Sequence, residues 1–553
     1  MGHLDTLDLV IFISALVGIL LFGMWVGRKE DNSKDFFLAG KSVGWAGIAG
    51  SLLGTNWSAA QLVGLMGASC SLGLATALYP TMAVVGVIFL MYVFMPIFED
   101  ANIYTLSQYL EARYDSRVSN VFSLLSIVVT IILGLIFAFY FGGRSLSELL
   151  GDTQLEMSYT QMVILLAVVT GIYTVTGGLS AVIYTDVMQT LLLVAGGAIL
   201  AVLVLMQPEI GGLAGLLELD ALQPVAERKL TIFKPSNHPQ IPWTGALTGL
   251  ILLNIYFYGG NQVMAQRMLA AKSPEDGRLG ILVSIFIKVS LVLLVILPGI
   301  AGYYILEARG MDINPDDIFA TLFRTLVPVG YGFGGIIMVG LIGGVLSTVD
   351  SVLNTGSTFL TIDYYKKYFR QDASEKELVK VGRIFIVILL ILGTSASLLL
   401  LNPESTTDGF LKSTQLGSYL IVGILTIFLF GILWKPATAS AALVVLIISP
   451  FLSWGYELLY NNFLVIWFPG LVSVFSDKLN FFHQLILTFF TASLLFVIIS
   501  KLTEETRNQE NEKHTLAEVL KRSERKMAPF WKSEKPWVVL IVVITGAFLI
   551  WFR

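Results

Sequence analysis

Asn254-Ile255-Tyr256-Phe257-Tyr258-Gly259-Gly260-Asn261-Gln262 is the stretch on which the fold turns. It lies inside an apolar run, 243–264, whose length falls in the roughly 17–25 residues that a bilayer crossing takes. A double glycine between aromatics and amides makes a poor helix, because glycine loses the most freedom on becoming helical. In a membrane such an interruption is tolerated where it is buried in protein or lines a cavity, and among aromatics and amides the stretch reads as a binding crevice. A second run, 46–70, is interrupted in a similar way: Gly47, Gly50 and Gly54 precede Thr55-Asn56-Trp57-Ser58-Ala59-Ala60-Gln61. That glycine spacing allows close helix packing, and it equally allows local unwinding that turns backbone carbonyls toward a cation.

Working outward, the whole chain is written for lipid. Of its 553 residues 55% are hydrophobic and 13% charged, where a soluble chain carries about a quarter charged. Further apolar runs fall near 8–27, 75–98, 120–141, 160–176, 184–206, 279–303, 333–362, 380–401, 410–434, 437–458, 480–500 and 536–552. The reading is an all-α integral membrane protein of about fourteen transmembrane helices. Continuous rather than alternating apolar runs exclude an outer-membrane barrel. The first run follows only His3 and Asp5, with no basic region and no cleavage site, and reads as a retained helix. Cys70 stands alone, so no disulfide forms within the chain.

Fourteen crossings put both termini on one side, and basic residues decide which. Arg28, Lys29, Lys34, Lys41, Arg113, Arg117, Arg267, Lys272, Arg278, Lys366, Lys367, Arg370, Lys376 and Lys435 fall in one set of loops. Nine more lie between Lys501 and Lys535. The opposite set is sparser, so both termini face outward across the inner or plasma membrane. The chain divides into a first helix and loop (1–43), a five-helix set (44–206) and an outward loop (207–242). A second five-helix set (243–434), peripheral helices (435–500), a charged cytoplasmic linker (501–535) and a last helix (536–553) follow. The linker reads as a solvated tether, and the outward loop as a small cap over an entrance.

The two interrupted runs are each first of five in their sets. Interrupted helices in matching places of two repeats are the best sequence pointer to a transporter's binding site, although no direct sequence repeat joins the halves. Enzyme signals are poor. His3, His238, His483 and His514 show no metal-ligand spacing, and Ala39-Gly40-Lys41-Ser42 lacks the earlier glycine of a phosphate loop, having Asp35 there. Nothing points to nucleic acid or to an obligate protein partner; the expected partners are the bilayer and a small solute.

Polar residues at membrane depth are expensive and mark pathways. Lys288 either snorkels to the interface or donates hydrogen bonds to a hydroxylated substrate. Gly343-Gly344-Val345-Leu346-Ser347-Thr348-Val349-Asp350-Ser351 offers hard oxygen ligands suited to sodium, although hydroxyls also bond back to their own helix. Asp350 at mid-span needs a cation, a proton or a partner. Asp186 either caps its helix or joins Asp350 in an acidic cation site.

Several ordered stretches resemble the sodium/solute symporter family, in its sodium–glucose and sodium–galactose branch. They are Phe36-Phe37-Leu38-Ala39-Gly40-Lys41-Ser42, Gly177-Gly178-Leu179-Ser180-Ala181-Val182-Ile183-Tyr184-Thr185-Asp186 and Gln266-Arg267-Met268-Leu269-Ala270-Ala271-Lys272-Ser273. Leu297-Pro298-Gly299-Ile300-Ala301 and Asn354-Thr355-Gly356-Ser357-Thr358 complete the set. The resemblance implies a LeuT-like core of two inverted five-helix repeats, with one helix before and three after. It implies a sodium site at Gly54, Trp57, Gly344, Ser347 and Thr348, and in some members a second at Asp186, Asp350 and Ser351. The carboxylate at 350 departs from the hydroxyl that pattern expects, and admits a proton as second coupling ion. For a sugar, the resemblance points to Gln61, Tyr79, Asn254, Phe257, Tyr258, Lys288, Thr414 and Gln415. Here an expected gate tyrosine is Phe257, an expected glutamate falls on Pro80, an expected serine on Ala83, and an expected glutamine on Thr414. The expected function is sodium-coupled import of a monosaccharide or sugar derivative by alternating access. The alternatives are sodium- or proton-coupled transport of an amino acid, carboxylate or polyol, and a transport-like membrane sensor.

Overall fold

In the computed structural model, residues 4–29, 32–58, 60–101, 103–151, 153, 155–311, 314–402, 409–504, 509–522 and 533–553 are described. Parts of the charged linker, 505–508 and 523–532, and Ala59 of the interrupted second run lie outside them. The described residues are almost entirely helical and contain no strand, only two isolated bridges.

Ten helical stretches among the described residues are long and apolar enough to cross a membrane, against fourteen runs in the sequence. The difference has physical causes. Runs 160–176 and 184–206 follow one another without a loop, as two helices that meet at Gly178 within one 47-residue helical stretch, Tyr159–Leu205. At 1.5 Å per residue it would reach about 70 Å, the length of two crossings. The join is bent at Gly178, with φ 53° and ψ −158°. A Cβ there would stand 2.8 Å from the Phe36 carbonyl oxygen, so only glycine lets the bend close on the Phe36–Phe37 segment. The interrupted runs break into pieces too short to qualify alone. The last helix, Lys535–Trp551, is a 17-residue piece.

Helix Phe333–Thr358 is buried along nearly its whole length. It packs against Tyr159–Leu205 through small residues: a Cβ on Gly340 would meet the Leu192 carbonyl oxygen at 2.8 Å, and one on Gly343 would meet the Gln189 side chain at 3.2 Å. This is the packing expected where lipid supplies no hydrophobic drive between helices. Leu, Val and Phe side chains of Thr6–Val26, Glu375–Leu400 and Ala439–Leu459 stay exposed on the outer faces, where acyl chains would lie.

Two arginines counted as loop residues, Arg113 and Arg267, are buried instead, and so is Arg144. Arg113 donates to the carbonyls of Gly431, Trp434, Lys435 and Ala437, closing the end of helix Gly409–Leu433. Arg144 pairs with Asp316 and Asp317. Arg267 has no exposed surface. The linker is also not a free tether where it is described. Asn511 Nδ2 donates to the Tyr114 carbonyl at 3.0 Å, Tyr109 donates to the His514 carbonyl at 3.3 Å, and Arg522 pairs with Asp100 at 2.9 Å. Burial of Val519 and the Lys435–Glu518 pair complete the docking. The 207–242 segment folds as helix Gly212–Leu222 and a strap. Leu74 N–H donates to the Lys229 carbonyl at 2.6 Å and Lys229 Nζ to the Ser71 carbonyl at 2.8 Å, fastening the strap over the end of helix Leu65–Leu72.

Candidate functional site

Both interrupted runs break where the glycines and amides sit. Helix Trp45–Asn56 ends at Trp57 (φ −97°, ψ 67°), and the chain resumes as a π turn, Ala60–Gly64. Helix Gly249–Ile255 widens into a π turn, Tyr256–Gly260, and stops at Asn261 (φ −99°, ψ 120°) before Gln262–Leu269. The Asn261 side chain accepts the Val263 N–H at 2.8 Å, satisfying one donor freed by the break. Between the breaks lies a cavity of about 240 Å³, near the lower end of small-ligand sites.

Gln61, Tyr79, Asn254, Phe257, Lys288 and Thr414 line that cavity, with Pro80, Asn56 and Ser58. Tyr258 and Gln415 do not line it. Tyr258 is buried behind the wall, its ring 5.4 Å from Lys288 Nζ, and the Phe257 ring lies 5.5 Å from the same atom. Lys288 does not snorkel. It is 7% exposed and donates to Asn56 Oδ1 at 2.7 Å. Asn254 Nδ2 donates to the Leu250 carbonyl at 3.0 Å.

The positions implied for the first sodium site converge in part. A Cβ on Gly54 would stand 3.0 Å from Ser347 Oγ and 2.5 Å from Thr190 Oγ1, so this glycine brings the two helices together. Thr348 faces the cavity, its hydroxyl donating to the Gly344 carbonyl at 2.9 Å. The Ser347 hydroxyl instead donates to Asp186 Oδ1. Trp57 is fully buried, with its indole N–H unsatisfied.

Asp186 and Asp350 enter one network, and Asp186 is no simple helix cap, since it lies about two helical turns past the Gly178 break. Ser51 Oγ and Ser347 Oγ donate to Asp186. Tyr173 donates to Asp350 Oδ2 at 2.6 Å, and Ser351 to Asp350 Oδ1 at 3.2 Å. Arg267 sits at the centre. Its Nη2 lies 3.4 Å from Asp186 and donates to Ser351 Oγ, its Nε donates to Ser51 Oγ at 2.9 Å, and its Nη1 to the Val263 carbonyl at 2.6 Å. Arg267 thus pairs directly with Asp186 and reaches Asp350 only through Ser351, and two carboxylates against one guanidinium leave a formal charge of −1 for a further cation or proton. Thr55 Oγ1, on the cavity wall, stands 3.1 Å from Ser351 Oγ and joins the two regions.

Sequence reasoning missed Arg267, Ser51, Tyr173 and Asn56. The signal for Arg267 was available: it follows the Asn261 break by six residues, about 9 Å of helix, so the crossing continues past it. The charge itself ended the apolar run and hid the continuation.

A membrane chain whose described residues are almost entirely helical, with two matched helix breaks around a cavity that carries amides, hydroxyls and one ammonium group among apolar side chains, defines a secondary transporter of the inverted-repeat type. The family model for the sodium:solute symporter family matches residues 36–449, and the chain belongs to that family. Its members are transporters, not enzymes. Among curated relatives, the sodium/glucose cotransporter of Vibrio parahaemolyticus is 31% identical over 471 residues, 81% of this chain and 84% of that protein. A sodium/myo-inositol cotransporter of Bos taurus is 28% identical, over 90% of this chain and 74% of that one. Among solved structures, a sodium-coupled sialic acid symporter in its substrate-bound outward-open state aligns over 90% of this chain and 98% of its own. Its TM-score is 0.74 at 19% identity, a likeness of fold.

Proposed function

We infer that the chain is a sodium-driven symporter whose solute is a monosaccharide, a sugar derivative or a related polyol, carried through the cavity between the two helix breaks. One observation carries this reading. Set among aliphatic side chains such as Leu250, Val352 and Ile421, the cavity wall carries amides, hydroxyls, an ammonium group and aromatic faces, a set that recognises a polyhydroxylated ring. The cotransporters of glucose and myo-inositol among its relatives support the same solute class.

Gln61, Asn254 and Lys288 would meet ring hydroxyls, and Phe257 would stack on an apolar sugar face. The first sodium would lie among Gly54, Trp57, Gly344, Ser347 and Thr348, and a second cation beside Asp186, Asp350 and Ser351. In this reading Ser347 turns from Asp186 toward sodium when the ion arrives. Two charges moving inward would draw about 4.6 kcal/mol from a 100 mV potential, at about 2.3 each. Residues 44–206 and 243–434 would form the two repeats that rock about the site, with both termini outward in the cell membrane.

Thermal stabilisation of the purified protein tests the reading, with sugars, polyols and amino acids each in sodium and in choline. Because a ligand that binds only the folded form raises its stability, a sugar or polyol shift that requires sodium is expected. A sodium-dependent shift with amino acids alone would overturn the solute class.

A further inference from the structure

The cavity is electrically lopsided. Among the described residues that line it there is one charged group, the Lys288 ammonium, and no carboxylate. Lys288 has a neutral amide oxygen at 2.7 Å and two aromatic faces at about 5.5 Å, but no ion-pair partner among the described residues. The other buried cations are answered within the protein: Arg267 by Asp186, Arg144 by Asp316 and Asp317, and Arg113 by four carbonyls. An ammonium group left buried without a counter-charge is unfavourable, and here it is also aimed into the space a solute would occupy. Sodium at either neighbouring site would add positive charge to the same region.

We propose that the preferred solute is an acidic sugar, a monosaccharide carrying a carboxylate, whose anionic group pairs with Lys288 in the cavity. The hydroxyls of such a sugar would meet Gln61 and Asn254, and its ring would lie on Phe257. The carboxylate would receive a charge-assisted hydrogen bond, stronger than any a neutral hydroxyl forms with the same ammonium. This inference rests on the reading of the cavity as a sugar site and narrows it.

Sodium-driven uptake into proteoliposomes decides the matter, with labelled glucuronate and galacturonate measured beside glucose, galactose and myo-inositol. Each uronate is expected to show an apparent affinity at least about tenfold tighter than its neutral parent. Lys288→Gln should collapse that ratio toward one, while Lys288→Arg should keep it above one. Neutral sugars carried with equal or tighter affinity by the native protein would overturn the inference and leave sodium–sugar symport standing. Sodium-dependent uptake of no sugar in either class would overturn both.

Discussion

The Lys288 cavity and the Asp186–Arg267–Asp350 cluster share a wall at Thr55, yet they balance their charge in opposite ways. In the cluster every charged side chain has protein partners: two carboxylates, one guanidinium, three serine hydroxyls and a tyrosine. In the cavity a single ammonium faces neutral groups. A dense buried network holds helices in one arrangement, and removing one member leaves the others unpaired. A lone cation in an open cavity is left to be completed from outside. The difference separates what ties the repeats together from what waits for a ligand.

The largest effect should come from Arg267→Met, which strands Asp186 without its cation and removes the donor that reaches Asp350 through Ser351. Breaking a buried pair from one side costs about 3–5 kcal/mol, so the variant should melt far below the native protein in detergent and fail to accumulate solute. A melting temperature near native would show that the cluster does not hold the fold.

Next is Asp350→Ser, which restores the hydroxyl that the family resemblance expects. Arg267 then keeps Asp186 as a full partner, and the formal −1 charge disappears. Apparent sodium affinity in uptake should fall by about tenfold, equivalent to about 1.4 kcal/mol, and sodium dependence should become less steep. An unchanged sodium curve would make Asp350 only a structural acceptor for Tyr173 and Ser351.

Thr348→Val removes a hydroxyl that faces the cavity while keeping side-chain shape. Sodium affinity should weaken several-fold, with solute affinity at saturating sodium close to native, since a neutral hydrogen bond is worth about 0.5–1.5 kcal/mol. Equal weakening for both ligands would place Thr348 in the solute site. The smallest effect should come from Glu518→Gln, which loosens a half-buried pair with Lys435 at the water-facing docked linker, where Glu518 also meets Lys521. Pairs screened by water contribute little, and uptake should stay within about twofold of native. A larger loss would mean that the linker's docking governs transport.

Much of the architecture was legible because bilayer crossing imposes a length and an apolarity that sequence displays directly. The two breaks were legible because Gly259, Gly260 and the Asn56-Trp57-Ser58 stretch cannot continue a regular helix comfortably. Lys288 and the Ser347–Ser351 stretch stood out as polar residues in apolar surroundings. The runs 160–176 and 184–206 were legible as separate because Gly177 and Gly178 interrupt the apolar pattern, and the backbone does leave helical geometry at Gly178. Arg267 was lost because a charge ends any apolar run, and only tertiary packing brings Asp186 and Ser351 from other helices to meet it. The docked linker was illegible for the same reason: Asn511 and Arg522 find Tyr114 and Asp100 across some four hundred residues of chain.

The most direct measurement of the central claim is solute uptake into proteoliposomes carrying an inward sodium gradient, compared with choline at equal osmolarity. Accumulation of a sugar or polyol above its external concentration, in sodium only and collapsing when the gradient is dissipated, is the predicted result. Equal uptake in choline, or equilibration without accumulation, would contradict it.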